Sequence, residues 1–161
     1  MDTSELEAAY RSVLDLAARS PDPGPPPAGD DPAWGPGDVL AHLIVNDRLL
    51  AAAVRSVLEG TAGPYDTVDA VELAELRAIG KDLGGTAGLL GELEASSREL
   101  LDLAGRLDEA QAAVPLPVRI LDGDELRVDQ PLPVASLLAI QARRHLPMHE
   151  AQLGDLLRPS S

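Results

Sequence analysis

Apolar residues return every three or four positions through most of this chain, and proline and glycine mark the breaks. Leu6, Tyr10, Val13, Leu14 and Ala17 form a first stripe, predicting a helix over residues 4–18 with Ser4 and Glu7 in capping-box spacing. Residues 20–31 read Ser-Pro-Asp-Pro-Gly-Pro-Pro-Pro-Ala-Gly-Asp-Asp. Proline lacks an amide donor and restricts the residue before it, so this segment reads as a long helix-to-helix crossover rather than a Pro-rich linker. A second helix is predicted over residues 36–59: Gly35 caps it, Pro36 fits its first position, Asp38 complements its positive end and Gly60 stops it. A shorter helix over residues 68–79 carries Val71, Leu73, Leu76 and Ile79 and is broken by Gly84-Gly85. A long one over residues 86–107 carries Leu89, Leu93, Leu100, Leu103 and Leu107. The glycines from 80 to 91 lack the Gly-Lys-Ser/Thr ending of a phosphate loop and serve as helix punctuation.

The period changes over residues 114–129, where Val118 and Ile120, then Leu126 and Val128, alternate with polar residues around Asp122-Gly123-Asp124. This predicts a hairpin. A three-residue turn pairs Val118 with Val128 and Ile120 with Leu126, and is preferred over a two-residue turn because register follows the apolar face. The hairpin covers part of the helices and nothing in it suggests chemistry. The final helix, residues 133–157, has Pro133 near its first turn. The pattern predicts an all-α fold: four main helices in a bundle, one additional short helix and a small hairpin, in a single domain spanning residues 1–161.

Composition narrows the function more than the fold. With no Phe, one Trp and two Tyr, the core must come from Leu, Val, Ile and Ala. A net charge of -14 opposes nucleic acid and anionic membranes, since both are bound through Lys and Arg. No apolar run approaches the length of a membrane span, and the N-terminus lacks the basic start and apolar core of a signal peptide, so a cytoplasmic protein is expected. Without Cys, a metal must be held by His and carboxylate, and thiol chemistry needs a thiol from outside.

Such ligands are available. The final helix reads Arg143-Arg144-His145-Leu146-Pro147-Met148-His149-Glu150-Ala151-Gln152, which puts His145 and His149 on one face, one turn apart. The third histidine of the chain, His42, lies in the apolar pattern of the second helix and points inward. His42, His145 and His149 can form a three-nitrogen metal set with an open coordination position, or can be structural residues of the core; spacing leaves both readings open. Pro147 removes one helical hydrogen bond and bends the helix, either spoiling the spacing or tuning it. Met148 reads as core, Trp34 as an anchor for the loop before the second helix, and Arg143 and Arg144 as helix cations rather than anion contacts. Ser96 and Ser97 have no triad. Asp38, Asp47 and Glu150 are acids close in sequence to the histidines, but none is assigned as a catalytic base without geometry.

A Trp shortly before a helix carrying His42-Leu43, with a final helix reading His145, Met148-His149 and Gln152, resembles the DinB-like superfamily, including YfiT-like proteins and the N-terminal domain of mycothiol-dependent maleylpyruvate isomerase. The family's closing pattern is His, two residues, His-His, two residues, Gln; here Met148 replaces the middle His. The resemblance implies a down-up-up-down four-helix bundle and a homodimer. It also implies a divalent ion, Zn²⁺ or Ni²⁺, on side chains that map to His42, His145 and His149. It further implies a transferase or isomerase using a low-molecular-weight thiol such as mycothiol against a small electrophile. The alternative is a non-catalytic bundle that binds metal, ligand or partner.

Overall fold

The computed structural model describes residues 1–19, 33–122 and 125–158; the Pro-rich crossover lies outside them. The described residues are mostly helical, and no helix is long and apolar enough to cross a membrane. Helix α1 (Ser4–Arg19) buries Leu6, Tyr10, Val13 and Ala17, the stripe expected. The expected capping box does not form: the helix begins at Ser4, whose N–H donates to Asp2 Oδ1 (2.9 Å), while Glu7 pairs with Arg11 (2.8 Å).

Helix α2 (Pro36–Leu58) is the element the others surround, packing against α3 (Leu73–Asp82), α4 (Thr86–Gly105), α6 (Val134–Ile140) and α7 (Leu146–Leu156). Its start is as predicted, with Gly35 N–H donating to Asp38 Oδ2 (2.9 Å) and Pro36 in the first turn. A helix apolar on one side only would leave its other faces wet, but α2 buries residues all round, from Val39 and Leu43 to Val54 and Val57. That is why Asn46 and Asp47 are buried too. Two ion pairs join α2 to α4, Arg48–Glu92 (2.6 Å) and Arg55–Glu99, yet both are substantially exposed and worth at most about 1 kcal/mol each.

Three expectations need correction. The short helix expected over residues 68–79 is a 3₁₀ turn (Val68–Val71) followed by α3, displaced toward the C-terminus; Gly84 and Gly85, at φ +77° and +88°, then separate α3 from α4. A one-turn helix α5 (Glu109–Ala112), capped by Asp108, adds an element that the periodicity does not predict. The hairpin β3 (Val118–Asp122) and β4 (Glu125–Asp129) takes neither register considered, because a shift between Ile120 and Leu121 pairs Ile120 with Val128 and Leu121 with Leu126. The irregularity passes over Arg127, so both apolar pairs form across unequal spacings.

Two strand pairings tie this hairpin to the helices. Residues 60–67 are expected to be loop, but β1 (Tyr65–Asp66) pairs parallel with β3, Tyr65 opposite Val118. Strands β2 (Pro115–Leu116) and β5 (Leu132–Pro133) pair antiparallel at the entrance to α6. Val118 is buried, and Ile120 and Val128 pack against the core. The sheet therefore forms a wall beside α2 and the last helix.

Candidate metal centre

Helices α6 and α7 are continuous through a π turn, Gln141–His145, in which Leu146 N–H reaches back to Gln141 C=O. Pro147 comes directly after. Its missing N–H and its ring would disrupt a regular α-turn against Arg143, and widening the preceding turn absorbs that conflict. The strain expected from Pro147 thus appears as a π turn that carries His145, and the two histidines still meet.

His42, His145 and His149 converge, with one ring nitrogen from each lying within 4.8 Å of the others. Their ring centroids are 4.6 to 5.1 Å apart, and His42 Nε2 lies 3.0 Å from His145 Nε2. Tetrahedral Zn²⁺ with bonds of about 2.0–2.1 Å sets its nitrogens about 3.4 Å apart, so the cluster is within a small adjustment of that spacing. His42 and His149 are buried and His145 half-buried.

The outer hydrogen bonds orient two of the rings. His42 Nδ1 donates to the Ala70 carbonyl (2.5 Å) and His149 Nδ1 to Gln152 Oε1 (2.8 Å), which leaves a lone pair on each Nε2. His145 is different. Facing the lone pair of His42 Nε2, it must donate its own Nε2–H there, and its buried Nδ1 is left with no hydrogen-bond partner among the described residues. A cation at the cluster would reverse this, taking the His145 Nε2 lone pair and leaving the proton on Nδ1. Burial pushes His42 down to about 4, with a further contribution from His149, and drives His145 well below the usual imidazole range, helped by His149 and His42. Both are neutral at pH 7, as metal ligands must be. Donor chemistry and spacing both fit a divalent ion.

Gln152 supplies the most accessible test. Gln152→Leu leaves His149 in place but removes the acceptor that fixes its ring, so Zn²⁺ affinity measured by competition with a chelator is expected to fall about 10- to 100-fold. Unchanged affinity would show that His149 does not bind through Nε2.

The cluster lines a cavity of about 770 Å³, walled by the last helix on one side and by Ile120, Leu121 and Arg127 of the hairpin on another. The hairpin, expected to carry no chemistry, therefore shapes the site. Met148, expected in the core, is 55% exposed on the cavity wall, because it lies about a quarter turn round the helix from the inward-facing His149. Trp34 anchors its loop as expected, but against the histidines: its ring lies 5.1 Å from His42 and stacks at 6.4 Å on His149, lining the cavity. The three nearby acids do not join it. Asp38 faces Gly35 and Arg77, Glu150 accepts from Ser12 Oγ (2.6 Å), and Asp47 is enclosed in the core.

Asp47 heads a polar network that the sequence alone does not reveal. Tyr10 Oη, Ser96 Oγ (2.9 Å) and Gln141 Nε2 (3.2 Å) all donate to its carboxylate; Gln141 Oε1 accepts from Asn46 Nδ2 (2.9 Å), whose Oδ1 accepts from Tyr65 Oη (2.5 Å). Asn46, Tyr65 and Gln141 reach the cavity wall. A signal exists for two of them: Asn46 is one turn after His42 and Gln141 four residues before His145, polar positions on buried stripes. Tyr65 arrives only through strand pairing. Burial raises the Asp47 carboxyl to about 7, against the opposing pull of its three donors. No protein-family model, curated protein or solved structure was found to match this chain.

Proposed function

We propose that this chain is a metal-dependent enzyme of the DinB-like kind, a four-helix bundle in which His42, His145 and His149 hold Zn²⁺ or Ni²⁺ and a small thiol is turned on a small electrophile. The observation that carries this reading is the convergence of three imidazoles on an open cavity, two of them fixed by outer hydrogen bonds. When bound, such an ion supplies Lewis acidity and lowers the pKa of a coordinated protic group. A thiol suits this cavity because it starts near pKa 8.5 and needs little lowering, and no carboxylate among the described lining residues is placed to act as base. The chain's own residues orient and exclude: Ala70 and Gln152 hold two imidazoles in register, Trp34 shields them from water, and the hairpin encloses the far wall. The resemblance also carries a homodimer, to be checked by sedimentation.

The test is elemental analysis of protein purified without a histidine tag or nickel column, beside His149→Ala prepared identically. Near-stoichiometric metal that disappears in the variant is expected, followed by depletion of mycothiol or another small thiol in the presence of electrophiles. Metal-free wild type that binds no added Zn²⁺ or Ni²⁺ at micromolar levels would leave a non-catalytic helical binding module.

A further inference from the structure

We infer that the cavity accepts a small organic acid, whose carboxylate is held by Arg144 while its apolar body lies against Trp34 and the hairpin wall. That such an acid is the substrate rests on the metalloenzyme reading; that it binds does not.

Charge distribution carries the inference. The chain has 27 acidic residues against 13 basic ones, yet the described residues lining the cavity include no carboxylate and two arginines, Arg127 and Arg144. Adjacent arginines on the last helix meet different fates, because consecutive helical residues diverge by about a quarter turn. Arg143 turns to α1 and makes a two-point contact with Glu5 at 2.9 Å. Arg144 lies on the cavity wall with no ion pair or hydrogen bond among the described residues. In a strongly acidic chain an arginine without a carboxylate partner beside a concave site is a binding group that its own protein leaves open. A planar guanidinium matches a carboxylate through paired N–H donors. Trp34, Ile120, Leu121, Leu137, Ile140 and Met148 line the same cavity and suit a compact hydrocarbon body. Three histidine ligands would add to this preference, since imidazole brings no negative charge to offset a divalent ion.

Trp34 is the only Trp in the chain and lines the cavity, so its fluorescence reports occupancy. The experiment titrates metal-free protein, in carboxylate-free buffer, with 4-phenylbutanoate and with its neutral amide. The acid is expected to bind at least about 10-fold more tightly than the amide in wild type, and that preference to fall within about twofold in Arg144→Gln. Arg143→Gln, which loses only an exposed pair with Glu5, should retain the preference. Equal binding of acid and amide, a preference that survives Arg144→Gln, or no binding of either probe would overturn the inference. Zn²⁺ binding by the same variants separates the two questions. A failed acid preference with Zn²⁺ retained leaves the metal reading standing, and a retained preference in a chain that binds no metal leaves the anion site standing alone.

Discussion

Zn²⁺ at a thousandfold excess over its dissociation constant is expected to raise the unfolding midpoint of this protein by about 8–16 °C, and His145→Ala to abolish that rise. The size comes from linkage: a ligand confined to the folded state adds about 4 kcal/mol at that excess, and a chain of this length gains about 2–4 °C per kcal/mol. The variant should separate the metal-free and metal-bound states in opposite ways. Without metal, His145 contributes a buried nitrogen with no partner among the described residues and a ring facing two other imidazoles, in a cluster whose charging burial suppresses. Truncating it removes packing and the hydrogen bond to His42 Nε2, but also removes the roughly 1–3 kcal/mol penalty of an unsatisfied buried polar atom, so the metal-free variant is expected to melt close to wild type. With metal, one of three ligands is gone, and affinity should fall by more than the roughly 10- to 100-fold that loss of an outer hydrogen bond costs. Scanning calorimetry with and without Zn²⁺ measures both arms. A wild type whose midpoint ignores Zn²⁺, or a variant that keeps the rise, would show that the imidazoles meet for packing and not for a metal.

The histidine cluster is legible in the sequence because helical periodicity converts spacing into direction. His145 and His149 share a face by arithmetic, and His42 is inward because the apolar pattern around it is inward. The register between helices is not legible, since it rests on the packing of α2 against α6 and α7. The other departures have the same root. The expected hairpin register, which also joined two apolar pairs, fails because an irregularity between Ile120 and Leu121 shifts the ladder, and a bulge has no signature in the alternation of apolar residues. Tyr65 and β1 are invisible because two residues have no period. Met148 reads as core from its hydrophobicity, but it lies about a quarter turn from His149 and opens onto the cavity rather than the core. Arg143 and Arg144 look alike in the sequence, and only their neighbours distinguish them: Glu5 for one, a cavity for the other.

Asp47→Asn is expected to make the protein more resistant to urea at pH 8, with little advantage near pH 4. In the folded chain the Asp47 carboxyl holds its proton to about pH 7, whereas the unfolded chain releases it near 3.8. An acid whose folded pKa is raised favours folding in full only while protonated, so its stability contribution is lost as pH climbs through that interval. The whole loss is roughly 4 kcal/mol, and the gap between variant and wild type should widen by roughly 2 to 3 kcal/mol from pH 5 to pH 8. The geometry accepts either protonation state. Ser96 Oγ can donate to Asp47 Oδ2 (2.9 Å) or turn to the Leu93 carbonyl (3.2 Å), which frees its own lone pair for a proton on the carboxyl, or for the side-chain amide that Asp47→Asn introduces. No cation is among the described hydrogen-bond partners of Asp47, which are Tyr10, Ser96 and Gln141, so nothing there holds the carboxylate charged. Because Gln141 opens the π turn that carries His145, the same residue links core to site. Asp47→Asn preserves the anchor and should leave Zn²⁺ affinity unchanged, while Asp47→Leu releases Gln141 and should weaken it. A stability gap between Asp47→Asn and wild type that stays constant with pH would mean that the carboxyl is ionised throughout, and that the buried network is held by charge rather than by a retained proton.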